Sequence, residues 1–170
     1  MPYVPVIHGY KPFYIQAAAD ATAWDTTAYG MVAQTQPFPD DCEVKEPYKN
    51  DWHDENGDDE YVAQMRRKAF SITVKFYIKA YPATGSNPQS AVAVLNSLRD
   101  SFRSKLIPGE FKIWDSWQER GFQKVRFVKD EVETREVTDD FAWMIFAVTF
   151  KVNDPSTAVR LNNSNVIATV

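Results

Sequence analysis

The chain has 170 residues, 44% of them hydrophobic and 25% charged, with one cysteine and a formal net charge of −4. That is enough chain for one domain with a substantial core, and the composition is globular rather than disordered. The lone cysteine, Cys42, excludes an intramolecular disulfide, and no apolar run reaches the roughly 18–20 residues that a membrane-spanning helix needs. The start, Met1-Pro2-Tyr3-Val4-Pro5, lacks the charged-then-apolar layout of a signal peptide, so a soluble protein made in a cytoplasm is expected. Aromatic residues make up 14% of the chain and fall mostly in strand-like stretches, which favours a β-rich fold.

Taken in order, Tyr10 to Ala17 reads as a first strand with Phe13 and Ile15 inward. A small-residue connection follows, with Trp24 its only large side chain. Tyr29 to Thr35 reads as a short strand in which Gly30 marks a bulge or a close backbone approach. Residues 40–60 hold ten acids against two lysines, a net charge of −8 that leaves the remainder of the chain at +4. This segment is expected to form a hairpin or extended loop tipped by Asn56-Gly57, a strong tight-turn pair.

The most regular stretch is Ala69 to Ala80. Phe70, Ile72, Val74, Phe76 and Ile78 alternate there with Ser71, Thr73, Lys75, Tyr77 and Lys79, which on a pleated strand gives one apolar row and one wettable row. A helix is expected over about 87–107, with Asn87 as its cap and Pro88 in its first position. Its apolar stripe is Ala91, Val92, Val94, Leu95, Leu98, Phe102 and Leu106, at helical spacing, and Pro108-Gly109 stops it.

Three more strands follow. Glu110 to Trp114 and Phe122 to Val128 are short, with a turn between them that holds Trp117, and Lys129 to Asp140 reads as a charged hairpin region. Phe141 to Val152 places Ala142, Met144, Phe146, Val148, Phe150 and Val152 on one face and Phe141, Trp143, Ile145 and Ala147 on the other. A strand apolar on both faces is covered on two sides, or by a neighbouring subunit. Residues 1–155 therefore read as a single α+β domain, a β-sandwich or split barrel with one helix packed against it. Residues 156–170 read as a polar, thinly structured C-terminal extension.

Motifs for chemistry are absent. The two histidines, His8 and His53, lie in no nucleophile motif, Cys42 has no histidine placed to activate it, and no two glycines stand close enough to form a phosphate loop. The chain does not read as an enzyme, and no cofactor is expected. Aligning Gly57 with the invariant glycine of a calcium loop puts Trp52 and Ala63 where carboxylates are required, so no EF-hand is present. A different cation- or carbohydrate-binding use of residues 51–60 is the alternative of another class. The acids Asp51, Asp54, Glu55, Asp58, Asp59 and Glu60 otherwise make a solvated hairpin that repels a polyanion or pairs with a basic surface on a partner. Lys124, Arg126 and Lys129 near Trp114, Trp117 and Phe122 could be a stacking surface for single-stranded nucleic acid, but alternation on a half-exposed strand produces the same residues.

The order of features carries a resemblance. Thr26 to Val32, the step Pro37-Phe38-Pro39, the turn Asn56-Gly57-Asp58-Asp59, the long strand and helix, Glu110 to Asp115 and the closing run Phe146 to Pro155 follow one another. Over about residues 25–155 this resembles the N-terminal, tail-tube-like domain of the distal tail protein family of long-tailed bacteriophages. Two features depart from that family: acidic residues stand where its turn has an arginine, and no galectin-like carbohydrate-binding domain follows Pro155. The second implies that this chain does not itself bind the receptor.

The resemblance implies a structural virion protein, assembled in the host cytoplasm. It forms a hexameric ring that joins the tail tube to the tail hub or baseplate, and DNA passes through the lumen without specific binding. Tail terminators and tail tube subunits share the fold and are the alternative roles. No membrane is involved. On this reading Phe141, Trp143 and Ile145 contribute to the contact between subunits. The acids of the 51–60 segment then face the lumen or a partner.

Overall fold

A computed structural model describes residues 11–40, 43, 45, 49–51, 58–60 and 67–170. Its strands are β1 (Phe13–Ala17), β2 (Trp24–Asp25), β3 (Met31–Ala33), β4 (Lys49–Asp51), β5 (Asp58–Glu60), β6 (Phe70–Ala80), β7 (Phe111–Asp115), β8 (Arg120–Val137), β9 (Ala142–Asp154), β10 (Val159–Leu161) and β11 (Ile167–Thr169). The one α-helix among the described residues, α1, spans Ala91–Leu106. Seven strands form one antiparallel sheet in the order β2-β1-β7-β8-β9-β6-β3, while β4-β5 and β10-β11 are separate two-stranded pairs. The fold is thus mostly antiparallel β with one helix, the α+β class expected from the sequence.

The alternation of β6 explains its place in the centre of the core. Ile72, Val74, Phe76, Ile78 and Ala80 are buried, and each pairs with an equally buried residue of β9, from Phe150 to Ala142. In a flat sheet β1 and β6 would lie four strand spacings apart, about 19 Å. Yet the Phe13 and Phe76 rings approach to 5.7 Å, and Phe38 stands 6.0 Å from Phe13 and 5.1 Å from Phe122. The sheet therefore curls until its outer strands share one core, and α1 lies in the opening. Ala91, Val94, Leu95, Leu98, Phe102 and Leu106 all point inward. On the helix flank, Arg99 and Arg103 converge on the Asp130 carboxylate of β8. Arg103 Nη2 lies 2.9 Å from Asp130 Oδ1, and Arg99 Nε donates to Oδ2 at 2.7 Å. The hydrogen bond that Arg103 Nε itself donates to Asp130 Oδ1, at 2.9 Å, is the main reason the Arg103 guanidinium holds its proton more tightly than usual.

Four local expectations are corrected. The helix starts at Ala91, not near Asn87. Ala83 and Gln89 exchange backbone hydrogen bonds of 2.9 and 3.1 Å, which holds Gln89 extended, and Ser90 caps the helix by accepting from the Ala93 N–H. The strand expected over Tyr29 to Thr35 is only Met31–Ala33, and Tyr29 instead ends a 3₁₀ turn, Thr26–Tyr29. Its first turn is capped by Asp25, and it is closed by Gly30 at φ 70°, a left-handed conformation that only glycine adopts without penalty. β8 is one continuous strand through the stretch read as a separate charged hairpin. The β8–β9 turn is Thr138–Phe141, closed by the Thr138 N–H donating to the Phe141 carbonyl at 2.8 Å, so Phe141 sits in the turn and not in the strand.

The fourth correction concerns residues 156–170, which are ordered. β10 and β11 form a hairpin over the convex side of β1 and β7, burying Val159 and Ile167 against Trp114 and Ala23. The Ile167 N–H donates to Gln16 Oε1 at 2.8 Å, and Lys112 Nζ donates to the Ile167 carbonyl at 2.7 Å. Apolar residues occur along this stretch, but no pattern within it shows that Val159 and Ile167 meet Trp114, with Leu161 packed beside them. Gly121 is required beneath this hairpin. A Cβ there would collide with the Ile113 carbonyl and stand 3.0 Å from Val159 Cγ2.

Asp115, at the end of β7, is the buried carboxyl of the fold. Oδ2 accepts from the Gln118 N–H at 2.8 Å, but Oδ1 has no partner. Burial pushes its pKa up, against the opposing pull of the backbone N–H groups of Gln118 and Trp117 and of Lys11. A raised carboxyl pKa means the folded state binds the proton more tightly than the unfolded chain. Asp115 therefore penalises folding above its folded pKa, and the penalty fades as pH falls through that value toward the ordinary one. Asp115→Asn, which keeps an acceptor for Gln118, should make the protein at least as stable as the parent at pH 7. That gain should shrink as pH falls and vanish near pH 4, close to the ordinary carboxylate value. Urea midpoints at the two pH values measure this, and a variant less stable at pH 7 refutes it.

Candidate interaction surface

The two sides of the curled sheet are finished differently. The concave side is filled by α1, and the convex side over β1 and β7 carries the β10–β11 hairpin. Over β9, β6 and the length of β8 beyond its start at Gly121, where β10 packs, no described element covers the convex side. Register decides which side chains meet there: Tyr77 lies opposite Ile145, Lys79 opposite Trp143, and on the other flank Thr134 and Glu136 face Ile145 and Trp143. The Tyr77 and Trp143 rings stand 5.9 Å apart, and Trp143 Nε1 donates to Glu136 Oε2 at 2.9 Å. Lys79 Nζ sits 4.4 Å from the centroid of Phe141, and Lys75 pairs with Glu133 at 2.9 Å.

The result is an apolar centre of Tyr77, Trp143 and Ile145 inside a rim of alternating charge, the anatomy of a protein–protein contact rather than of a catalytic cleft. Tyr77 is 39% exposed, while Phe141, Trp143 and Ile145 are half-buried by their long neighbours. The sequence places the last three residues on one face, and the structure brings Trp143 and Ile145 together there, with Phe141 at the turn beside them. Tyr77 was missed because alternation assigns it to a wettable row. Only the pairing of β6 with β9, which no single-strand pattern reveals, puts it beside Trp143.

The open edge of β8 is finished differently. Beyond Val125 it has no partner on the β7 side among the described residues. It is interrupted by register shifts between Phe127 and Lys129 and between Val132 and Thr134. It also carries Lys129, Glu131, Glu133, Arg135 and Glu136. Bulges and charges of this kind keep a free strand from pairing indiscriminately.

Of the acidic segment, Asp51 ends β4, and Asp58, Asp59 and Glu60 form β5. The Lys49–Glu60, Asn50–Asp59 and Asp51–Asp58 pairs make the expected hairpin. Asp54, Glu55, the Asn56-Gly57 tip, His8, His53 and Cys42 lie outside the described residues. No cluster of three or more metal-ligating side chains occurs among the described residues. No helix among them is long and apolar enough to cross a membrane. Compared with known proteins, the chain matches no family and no curated protein.

Proposed function

We propose that this chain is a structural subunit that closes into a ring with copies of itself, in the role of a distal tail protein of a long-tailed bacteriophage. The observation that carries the reading is the bare convex face over β9, β6 and the later length of β8, where an aromatic centre with a charged rim is presented by a rigid sheet. A curled antiparallel sheet plugged by one helix suits the tail-tube type of domain, and the order of sequence features from Thr26 to Pro155 supports the same family. In this role the ring joins the tail tube to the hub, performs no catalysis, and lets DNA through its lumen.

The mass of the purified protein in solution tests the reading. Light scattering coupled to size exclusion should give a closed oligomer, six copies on the family pattern. A monomer at every protein concentration overturns it. A tail terminator or tube subunit would share the fold and the self-association. Immunogold labelling of the virion separates the roles by position: the tip for a distal tail protein, the neck for a terminator, the shaft for a tube subunit.

A further inference from the structure

At the opposite end of the strands from the aromatic face, where β6 begins and β9 ends, lies a cleft of about 670 Å³. Lys45, Arg67, Lys124, Asn153, Asp154 and Ser156 line it. An adjoining cleft of about 300 Å³ shares Arg67 and adds Arg120. Asp154 is its one central carboxylate, and that group is already engaged. Oδ1 accepts from the Ser156 and Thr157 N–H groups at 3.3 and 3.2 Å, and Oδ2 accepts from Gln123 Nε2 and Thr157 Oγ1, both at 2.8 Å. Burial alone would raise its pKa, but these donors outweigh burial and hold it below the ordinary value.

Lys45, Arg67 and Lys124, in contrast, have no carboxylate partner among the described residues. Lys124 stands where the β7–β8 register shifts, at φ 50°, a backbone conformation unfavourable to any residue with a Cβ. Among the described residues, three cations from three separate stretches of chain thus share one cleft with a single carboxylate, Asp154, whose oxygens are taken up by other donors. A cleft of this kind calls for an anionic occupant.

The chain itself carries the complement. Residues 40–60 have a net charge of −8 in a molecule whose remainder is +4. The ladder of that segment runs from the Lys49–Glu60 pair toward the Asp51–Asp58 pair. Lys45, near the start of the segment, and Arg67, just beyond its end, both stand in the cleft. Asp51 and Asp58, the last described pair of that ladder, are therefore farther along the chain from Lys45 and Arg67 than Lys49 and Glu60 are.

We infer that the cleft receives the acidic segment, residues 51–60, of a neighbouring copy. An acidic patch meeting a basic patch elsewhere on an identical molecule is a head-to-tail contact, the kind that generates closed rings. The inference rests on the ring reading above and adds to it a second, electrostatic contact.

Charge reversal in both halves tests it, read by sedimentation velocity over a range of protein and salt concentrations, with circular dichroism to confirm folding. Arg67→Glu with Lys124→Glu should raise the protein concentration needed for assembly by about tenfold or more. Asp51→Lys with Asp58→Lys and Asp59→Lys should do the same. All five together should restore it, because the signs are complementary again. Added salt should weaken assembly of the parent.

If both partial reversals assemble like the parent, the cleft contact is refuted while the ring reading stands. Loss in both without recovery in the combination also refutes it. Stability that falls in each and recovers in the combination, unchanged by protein concentration, places the segment in its own cleft and overturns the inference. So does single-stranded DNA binding lost on cleft reversal while assembly persists. A parent monomeric at all concentrations overturns this inference and the ring reading together.

Discussion

Phe102→Ala should lower the free energy of unfolding by about 3–5 kcal/mol, the range for removing a fully buried phenylalanine. Phe102 has no exposed surface, and its ring stands 5.4 Å from Phe76, 6.0 Å from Trp24, 6.1 Å from Phe146 and 6.2 Å from Tyr29. Those four residues belong to β6, β2, β9 and the 3₁₀ turn, so a single side chain of α1 ties both ends of the curled sheet together. The void left by alanine cannot be filled by collapse of one neighbour, since each is held by its own strand. Domains of this size have about 5–15 kcal/mol in total, so the variant should be marginal or unfolded at 37 °C. Phe102→Leu, which keeps most of the volume, should cost far less, about 1–2 kcal/mol. Urea unfolding of the pair measures the difference. A loss below 1 kcal/mol for alanine would mean the helix is dispensable to the core.

Trp143→Glu should have the largest effect on assembly and little on the fold. The side chain is half-buried on the convex face, outside the core, so the monomer should keep its stability to within about 1 kcal/mol. At the centre of a contact, a tryptophan contributes about 2 kcal/mol or more, on the order of a thirtyfold change in association. A carboxylate placed there would also face Glu136, which now accepts the indole N–H. Size exclusion with light scattering should show the folded monomer. A ring of parental mass carrying Trp143→Glu would remove this face from the contact, and Trp143→Ala separates loss of packing from added repulsion.

Much of the sheet was legible in the sequence because its central strands obey the period of two. The alternating residues of β6 and β9 identify the core face of each without reference to any partner. The helix stripe was legible for the same reason, although the bridge between Ala83 and Gln89 moved its start by several residues. What could not be read was register. Tyr77 belongs with Trp143 only because β6 and β9 pair as they do. The basic cleft gathers Lys45, Arg67 and Lys124 from positions that share no pattern in the chain. The C-terminal hairpin escaped notice because its strands are only three residues long each, and the burial of Val159 and Ile167 depends on a Trp114 more than forty positions away.

The hydrogen bond between Gln16 and Ile167 joins residues separated by 151 positions. On the ribosome, the first strand and the surface of Trp114 therefore stay unsealed until residue 167 has emerged from the exit tunnel. The strands β8 and β9 emerge earlier, so the sheet they form precedes the hairpin that closes over Trp114.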